Sequence, residues 1–460
     1  MDDHSSTTKH NEIYAEFAEC TPIYDTESGQ LVMLRLPNSD SSLIPDDPSS
    51  HTPRSSVDFY SLRMRKPSNS FFRPGITEPR SNHVYGLCGS RRRCIILACI
   101  IFVIALTGGI FGFIFSRAKA NPTTGSAGTG SAILPRIGDN LTTIAGSGRR
   151  GSLDGPSNNA TFDRPWGVAV GPDNSLYISD YGSNKIRIIG TDNHVHTFAG
   201  SGTAQLNDGI GNPAGIAFDA DGNLIVADSG SNCIRIILKG GQVQTLAGID
   251  EPGATDGVAS VARFFNPSGV AVSKGGEIYV ADTGNAAIRK ITSSGDVSTF
   301  AGRLGEPGAR DGAPQQASFR RPFGIFFDSV GNLIVADSGN NKIRSIDIHG
   351  TVTTIAGSGA RGEANSENAL QATFSSPIAA VMDQSGYMYI SDTTNSLIRV
   401  RSPTGLVSTW AGTGVNGSGD GFRLQAALNM PASMAIDVKG VLIVADRGSN
   451  KVRSLMNASI

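Results

Sequence analysis

The hydrophobic pattern changes character twice along the chain. Residues 1–90 are rich in Ser, Pro, Asn and Asp, as in TPRSSVDFYS and RKPSNSFFRP, and no apolar period of 2 or 3.6 persists there. Such a segment buries too little apolar surface to offset its ordering entropy, so the pattern predicts a disordered arm. Residues 94–115 then read CIILACIIFVIALTGGIFGFIF, 22 residues without a charge. At a rise of 1.5 Å per residue such a helix reaches about 33 Å, enough for a hydrocarbon core of about 30 Å. A transmembrane helix is predicted; the run begins too far along the chain, and is too long, for the apolar region of a cleaved signal peptide. Residues 116–136 follow as a flexible Gly/Ser/Thr linker.

From residue 137 onward, short apolar runs recur at a nearly fixed interval. A Pro that opens the first run stands at Pro165, Pro213, Pro267, Pro322, Pro377 and Pro431, and an Asp that closes the second at Asp180, Asp228, Asp282, Asp337, Asp392 and Asp446, spaced 48–55 residues apart. Residues 322–357 show one unit whole: GIFF, NLIVA, KIRSI and TVTTIA, separated by the turn sequences DSVGN, DSGNN and DIHG. A period near fifty residues with four short strands per unit predicts an all-β, six-bladed β-propeller over residues 137–460. Each fourth strand ends in Ala-Gly, at Gly146, Gly200, Gly248, Gly302, Gly357 and Gly412, yet the sixth unit stops after its third strand. Its missing strand is supplied by residues 140–146, NLTTIAG, which close the ring and leave no open sheet edge between first and last blades.

The unit pattern, a PxG turn into a first strand, then GNLxVADxxNxxIR, then GxVxTxAG, resembles the NHL repeat family across about residues 137–460. The resemblance implies a six-bladed propeller among proteins of many unrelated functions. Some NHL-like propellers are amidating lyases, and similar six-bladed proteins include lactonases and strictosidine-synthase-like proteins, with metal ligands or acid/base groups on the innermost strands. Others, attached to RING and B-box regions, read RNA on a basic face.

Charge narrows these choices. The net charge is −1, and residues 121–460 carry 26 Lys plus Arg against 28 Asp plus Glu, so the phosphate attraction that drives nucleic-acid binding is missing. Arg91, Arg92 and Arg93 precede the apolar run, with Arg73 and Arg80 upstream, whereas Arg117 and Lys119 follow it. The positive-inside rule then predicts a single-pass, type II signal-anchor protein, its N-terminus cytosolic and its propeller lumenal or extracellular. Gly108 and Gly112 give a GxxxG pair suited to helix dimerisation. Four of the five cysteines, Cys20, Cys88, Cys94 and Cys99, lie before residue 100, so Cys233 has no partner for a disulfide within the repeats. Cys88, Cys94 and Cys99 stand where S-palmitoylation occurs, and Tyr14 to Phe17 fits a tyrosine-based sorting pattern.

Candidate chemistry is sparse. The innermost strands read GVAV, GIAF, GVAV, GIFF, AAVM and SMAI, without His, Asp, Glu or Asn, so no catalytic residue, metal site or cofactor is assigned. An Arg follows each strand-two Asp by seven residues, at Arg187, Arg235, Arg289, Arg344, Arg399 and Arg453. A chemical site does not need six equivalent copies, and these pairs are expected to hold the fold. Asp219, Asp221 and Asn223 have the opening spacing of an EF-hand loop but Gly230 at the twelfth position, and Asp219, Asp328, Asp383 and Asp437 stand before turns, where Asp is expected. His194 and His196 share a strand face without a third ligand in the pattern, and His349 sits on another hairpin.

A protein- or ligand-binding platform is the reading left, with a propeller hydrolase or lyase as the alternative. Its candidate face carries the long joining loops, such as GSGRRGSLDG, GRLGEPGARDG and GTGVNGSGDG, and the positions at which one blade departs from the rest. Trp166 and Phe323 replace small or aliphatic residues in blades one and four, opposite each other across the ring; Tyr181 and Arg447 replace a Ser or Thr after the strand-two Asp. Arg149, Arg150, Arg310, Arg320 and Arg321 add interface-type side chains. The competing expectation is that the aromatics seal the channel and the arginines are solvated. Sequons at Asn140, Asn159, Asn416 and Asn457 all follow the predicted span.

Overall fold

The computed structural model describes residues 20–24, 31–35, 139–203 and 209–456. In the repeat region the β-branched runs become strands and the Gly/Asn/Asp clusters become their turns. Blade four is Pro322–Phe327, Leu333–Asp337, Lys342–Ile346 and Val352–Ala356, each strand antiparallel to the next. Six such meanders make the propeller. Blade six is Pro431–Ile436, Val441–Asp446 and Lys451–Met456, and its outer strand is Asn140–Ala145, with Val452 opposite Ala145 and Leu455 opposite Leu141. The predicted ring closure is therefore present.

Both faces of each sheet are covered, which explains why the second strands are continuous apolar runs instead of alternating ones. All five residues of Leu333–Asp337 are buried. The core is divided into clusters between neighbouring blades: Tyr279 and Ala281 of blade three, for example, share a cluster with Ile325 and Val335 of blade four. The joining loops plug these seams with Phe162, Phe264, Phe319 and Phe374, all fully buried.

Near the axis the innermost strands approach so closely that glycine is required. A Cβ on Gly215 would lie 2.7 Å from the carbonyl oxygen of Ser268 in the next blade, and one on Gly269 would collide with the carbonyl of Phe323. Gly269→Ala is accordingly expected to cost about 1–3 kcal/mol through overpacking, read as a lower urea midpoint at unchanged slope.

Toward the N-terminus, Cys20–Tyr24 pairs antiparallel with Leu31–Arg35. This departs from the irregular arm expected over residues 1–90: the LVMLR run is short but apolar enough to pair, although two strands alone are marginal in water. Among the described residues no helix is long and apolar enough to cross a membrane. The predicted span at 94–115, the Gly108/Gly112 pair, the linker and the basic flanks lie outside the described residues.

Candidate functional site

Beneath the loop face lies the Asp–Arg frame. All six pairs form, at 3.1 Å for Asp180–Arg187, 2.9 Å for Asp228–Arg235, 2.8 Å for Asp282–Arg289, 2.7 Å for Asp337–Arg344, 3.0 Å for Asp392–Arg399 and 2.9 Å for Asp446–Arg453. Every one of these side chains is buried. The second carboxylate oxygen of each Asp accepts a backbone N–H from the incoming loop, such as that of Arg320 on Asp337 at 2.8 Å and of Gly211 on Asp228 at 2.7 Å. Burial pushes the Asp180 and Asp282 carboxyls up to about 6, against the pull of their hydrogen bonds and arginines. One acid thus ties strand two, strand three and the joining loop together, which is a structural role repeated around the ring.

The chain pattern missed the third member of this frame. Asp154, Asp256, Asp311 and Asp420 of the joining loops receive the Nη2 of Arg187, Arg289, Arg344 and Arg453 at 2.5, 2.5, 2.5 and 2.7 Å. Burial raises the Asp154 carboxyl, but bonds from Arg187 and Thr197 outweigh it and hold the group below its ordinary value. The signal was in the sequence: each is the Asp of an Asp-Gly step eight residues before the buried Phe or Leu of its loop.

At the axis on the loop face, Trp166 and Phe323 meet with ring centroids 5.8 Å apart, and Tyr181 packs on Trp166 at 5.3 Å. Trp166 and Phe323 are buried, so they close the channel and form the floor of a mouth of about 280 Å³. Two guanidinium groups lie over this floor, Arg447 at 4.6 Å from the Trp166 ring and Arg321 at 5.5 Å from Phe323, while Arg164 lies beside the mouth, 5.6 Å from the Tyr181 ring and paired with Asp163 at 3.3 Å. Burial, and then the neighbouring Arg164, lowers the pKa of Arg447. Its Nε is buried without a hydrogen-bond partner, and among the described residues no carboxylate pairs with Arg321 or Arg447.

Blade-specific departures explain the geometry. At the residue after the strand-two Asp, Ser229, Thr283 and Thr393 each donate to the carbonyl of the next blade's Pro, stitching blades together. Tyr181 and Arg447 cannot occupy that short hydroxyl's place, and they lie over the aromatic floor instead. Arg164, overlooked in the sequence, and Arg321 sit one residue before the strand-one Pro with φ of 56° and 50°. That position is left-handed in all six blades, where Asn212, Asn266, Ser376 and Met430 stand in the others; comparing it across copies would have found the two arginines.

The structure therefore brings Trp166, Tyr181, Phe323, Arg321 and Arg447 together and leaves four predicted residues out. Arg149, Arg150, Arg310 and Arg320 do not line the mouth; Arg150 pairs with Asp163 at 2.8 Å, and all four are exposed. At the other end of the channel a cavity of about 330 Å³ is lined by residues such as Gly215, Val270, Phe326 and Ala380. The acids that end the first strands close hairpins, as their place before turns predicts: Asp219 accepts from Asn223 at 2.7 Å, Asp328 from Asn332 at 2.8 Å, Asp383 from Tyr387 at 2.9 Å and Asp437 from Val441 at 2.8 Å. The half-buried His194 and the exposed His196 stand beside Asp192, at 3.8 and 3.5 Å, a neighbour the strand pattern did not reveal. Among the described residues no group of three His, Cys, Asp or Glu could hold a metal ion. Asn140, Asn159 and Asn416 are exposed; Asn457 lies outside the described residues.

Residues 162–189, 211–237 and 264–291 match the NHL repeat, and the chain carries NHL repeats in its six-bladed propeller. It is 28% identical over 284 residues to Protein SUPPRESSOR OF QUENCHING 1, chloroplastic, of Arabidopsis thaliana, an alignment covering 56% of this chain and 26% of that protein. It is 30% identical over 152 residues to NHL repeat-containing protein 2 of Homo sapiens, covering 30% of this chain and 21% of that protein. The matched regions thus span about a quarter or less of these relatives' own lengths. Among solved structures, a protein of unknown function from Bacteroides thetaiotaomicron VPI-5482 superposes with a TM-score of 0.56 at 21% identity, over 69% of this chain and 75% of that one, a likeness of fold.

Proposed function

We propose that this NHL-repeat propeller is a binding platform, displayed on the lumenal or extracellular side of a membrane by residues 94–115, whose loop-face mouth receives an anionic group of its ligand. The observation that carries the reading is Arg447: a largely buried guanidinium over an aromatic floor, flanked by Arg164 and Arg321, with an unpartnered Nε and, among the described residues, no acid of its own. A carboxylate or phosphate entering the mouth gains charge-assisted hydrogen bonds in a partly dehydrated setting. No comparable observation favours a hydrolase or lyase, since the channel-lining residues on the inner strands are apolar or small.

Trp166 makes the test direct, because Arg447 lies against its ring. In full-length protein carrying Trp410→Phe, benzoate, a flat carboxylate probe, is expected to shift Trp166 emission saturably, and Arg447→Ala to weaken that response about tenfold or more. An emission insensitive to benzoate, or equal responses in both proteins, sinks the mouth assignment. Membrane display is tested separately: endoglycosidase should reduce the mass of the cell-expressed chain, and an unglycosylated, protease-accessible cytosolic propeller would overturn the topology.

A further inference from the structure

Five of the six blades cover their outermost strand edge. In blade three Gly257–Val258 pairs with Val297 and Asp296, and blades one and six carry the equivalent two-residue strands; blades four and five make the single bridges Gly312–Val352 and Ser366–Val407. The residue before this step is the loop acid already described, or Asn365 in blade five. Asp256 shows its full use: one oxygen takes Arg289 Nη2, and the other accepts the backbone N–H of Thr299 at 3.0 Å, beside the Thr299 hydroxyl. An Asp-Gly segment therefore clips the third-strand Arg to the fourth-strand Thr.

Among the described residues blade two lacks the clip. Its outer strand, Val243–Ala247, pairs among the described residues only with Cys233–Ile237. The loop into blade two runs from Gly200 to Pro213, 13 positions, where the others take 19 or 20, as from Gly248 to Pro267 or from Gly302 to Pro322. The deficit of six or seven residues is the stretch that carries the Asp-Gly step elsewhere; here Asp208-Gly209 falls two residues before Ile210 instead of eight. Arg235 responds by turning Nη1 onto the Thr245 hydroxyl, and its Nη2 is left buried with no partner although the residue is only 3% exposed. A buried unpaired donor costs free energy that an incoming acceptor would recover. Gln244 and Thr245 are exposed along the same edge.

We propose that the outer edge of blade two is a docking strand for a partner protein, which supplies in trans the extended Asp-Gly-apolar segment that the other blades supply in cis. The partner's carboxylate accepts the Thr245 N–H on the exposed edge and, as the covered guanidinium turns outward to meet it, Arg235 Nη2, and its following residues pair with Val243 by strand addition. The chemistry is set by the chain's own copies of the same joint, and the site is independent of the Arg447 mouth.

The probe is a fluorescein-labelled peptide copying residues 253–260, GATDGVAS, added to the full-length protein in detergent micelles, with anisotropy as the readout. Saturable binding is expected, weakened at least tenfold when the peptide's Asp is replaced by Asn. Replacing residues 201–209 with residues 249–263 of blade three's loop should cover the edge in cis, abolish binding and raise the melting temperature, which shows that loss of binding is not loss of fold. Equal binding of the Asn peptide, or binding that survives the graft, overturns the proposal. So does an unmodified protein that fails to bind while Asp208→Asn binds, since the short loop would then fill the edge itself. A dimer that the peptide dissociates would make a second copy the occupant and equally refute a partner protein.

Discussion

Asp337→Ala should lower propeller stability by about 3–5 kcal/mol, a fall in melting temperature on the order of 10 °C. The substitution removes the acceptor of Arg344 Nη1 at 2.7 Å, of Asn340 Nδ2 at 2.8 Å and of the Arg320 N–H at 2.8 Å in one step. Arg344 is fully buried, so its charge would be only partly compensated, by Asp311. Loss of one partner of a buried pair costs far more than the pair contributes net, because the stranded charge has already been desolvated. The double variant Asp337→Ala/Arg344→Met should therefore recover a large part of the loss. A melting curve within about 2 °C of the parent for Asp337→Ala would refute the structural role of the frame. Because the Arg320 N–H leads directly to Arg321, the single variant should also disturb the mouth, which couples frame to site.

Repetition explains what could be read from sequence and what could not. Asp337 and Arg344 were legible as a pair because their spacing occurs six times, and a residue type that survives in every copy serves something every copy needs. The strand supplied by residues 140–146 was legible for the same reason, since five complete units define what the sixth lacks. The meeting of Trp166 and Phe323 was not: their contact at 5.8 Å crosses the axis between opposite blades, and no local pattern encodes the direction of a side chain across a ring. The aromatics seal the channel, as one of the two expectations held, while among the described residues no carboxylate pairs with the Arg447 and Arg321 that stand over them. Asp256 and its equivalents went unread because Asp-Gly is also a common turn step, and only the fold brings them to an arginine 33 positions away. Departures mattered most where a copy lost something, as at Arg235, and a loss is seen only after the complete copies are understood.

The largest effect is expected from deleting residues 137–146, which should abolish the cooperative melting transition or lower it further than Asp337→Ala does. Asn140–Ala145 contributes Leu141 and Ala145, both fully buried, to the two seams that flank blade six. Its removal exposes the Lys451–Met456 edge and strips Asp420 of the Thr143 N–H at 3.0 Å and the Thr143 hydroxyl at 2.8 Å, loosening the clip on Arg453. The strand completes both seams of blade six and shields Lys451–Met456, so its loss opens the joint between blades six and one and leaves an inner strand as an unpaired edge ready for aggregation. The segment acts through pairing and not through its place in the chain, and the same residues appended after residue 460 through a short turn should restore the transition. Differential scanning calorimetry of the parent, the deletion and the relocated strand distinguishes these outcomes; unchanged melting of the deletion would mean that the ring is closed without it.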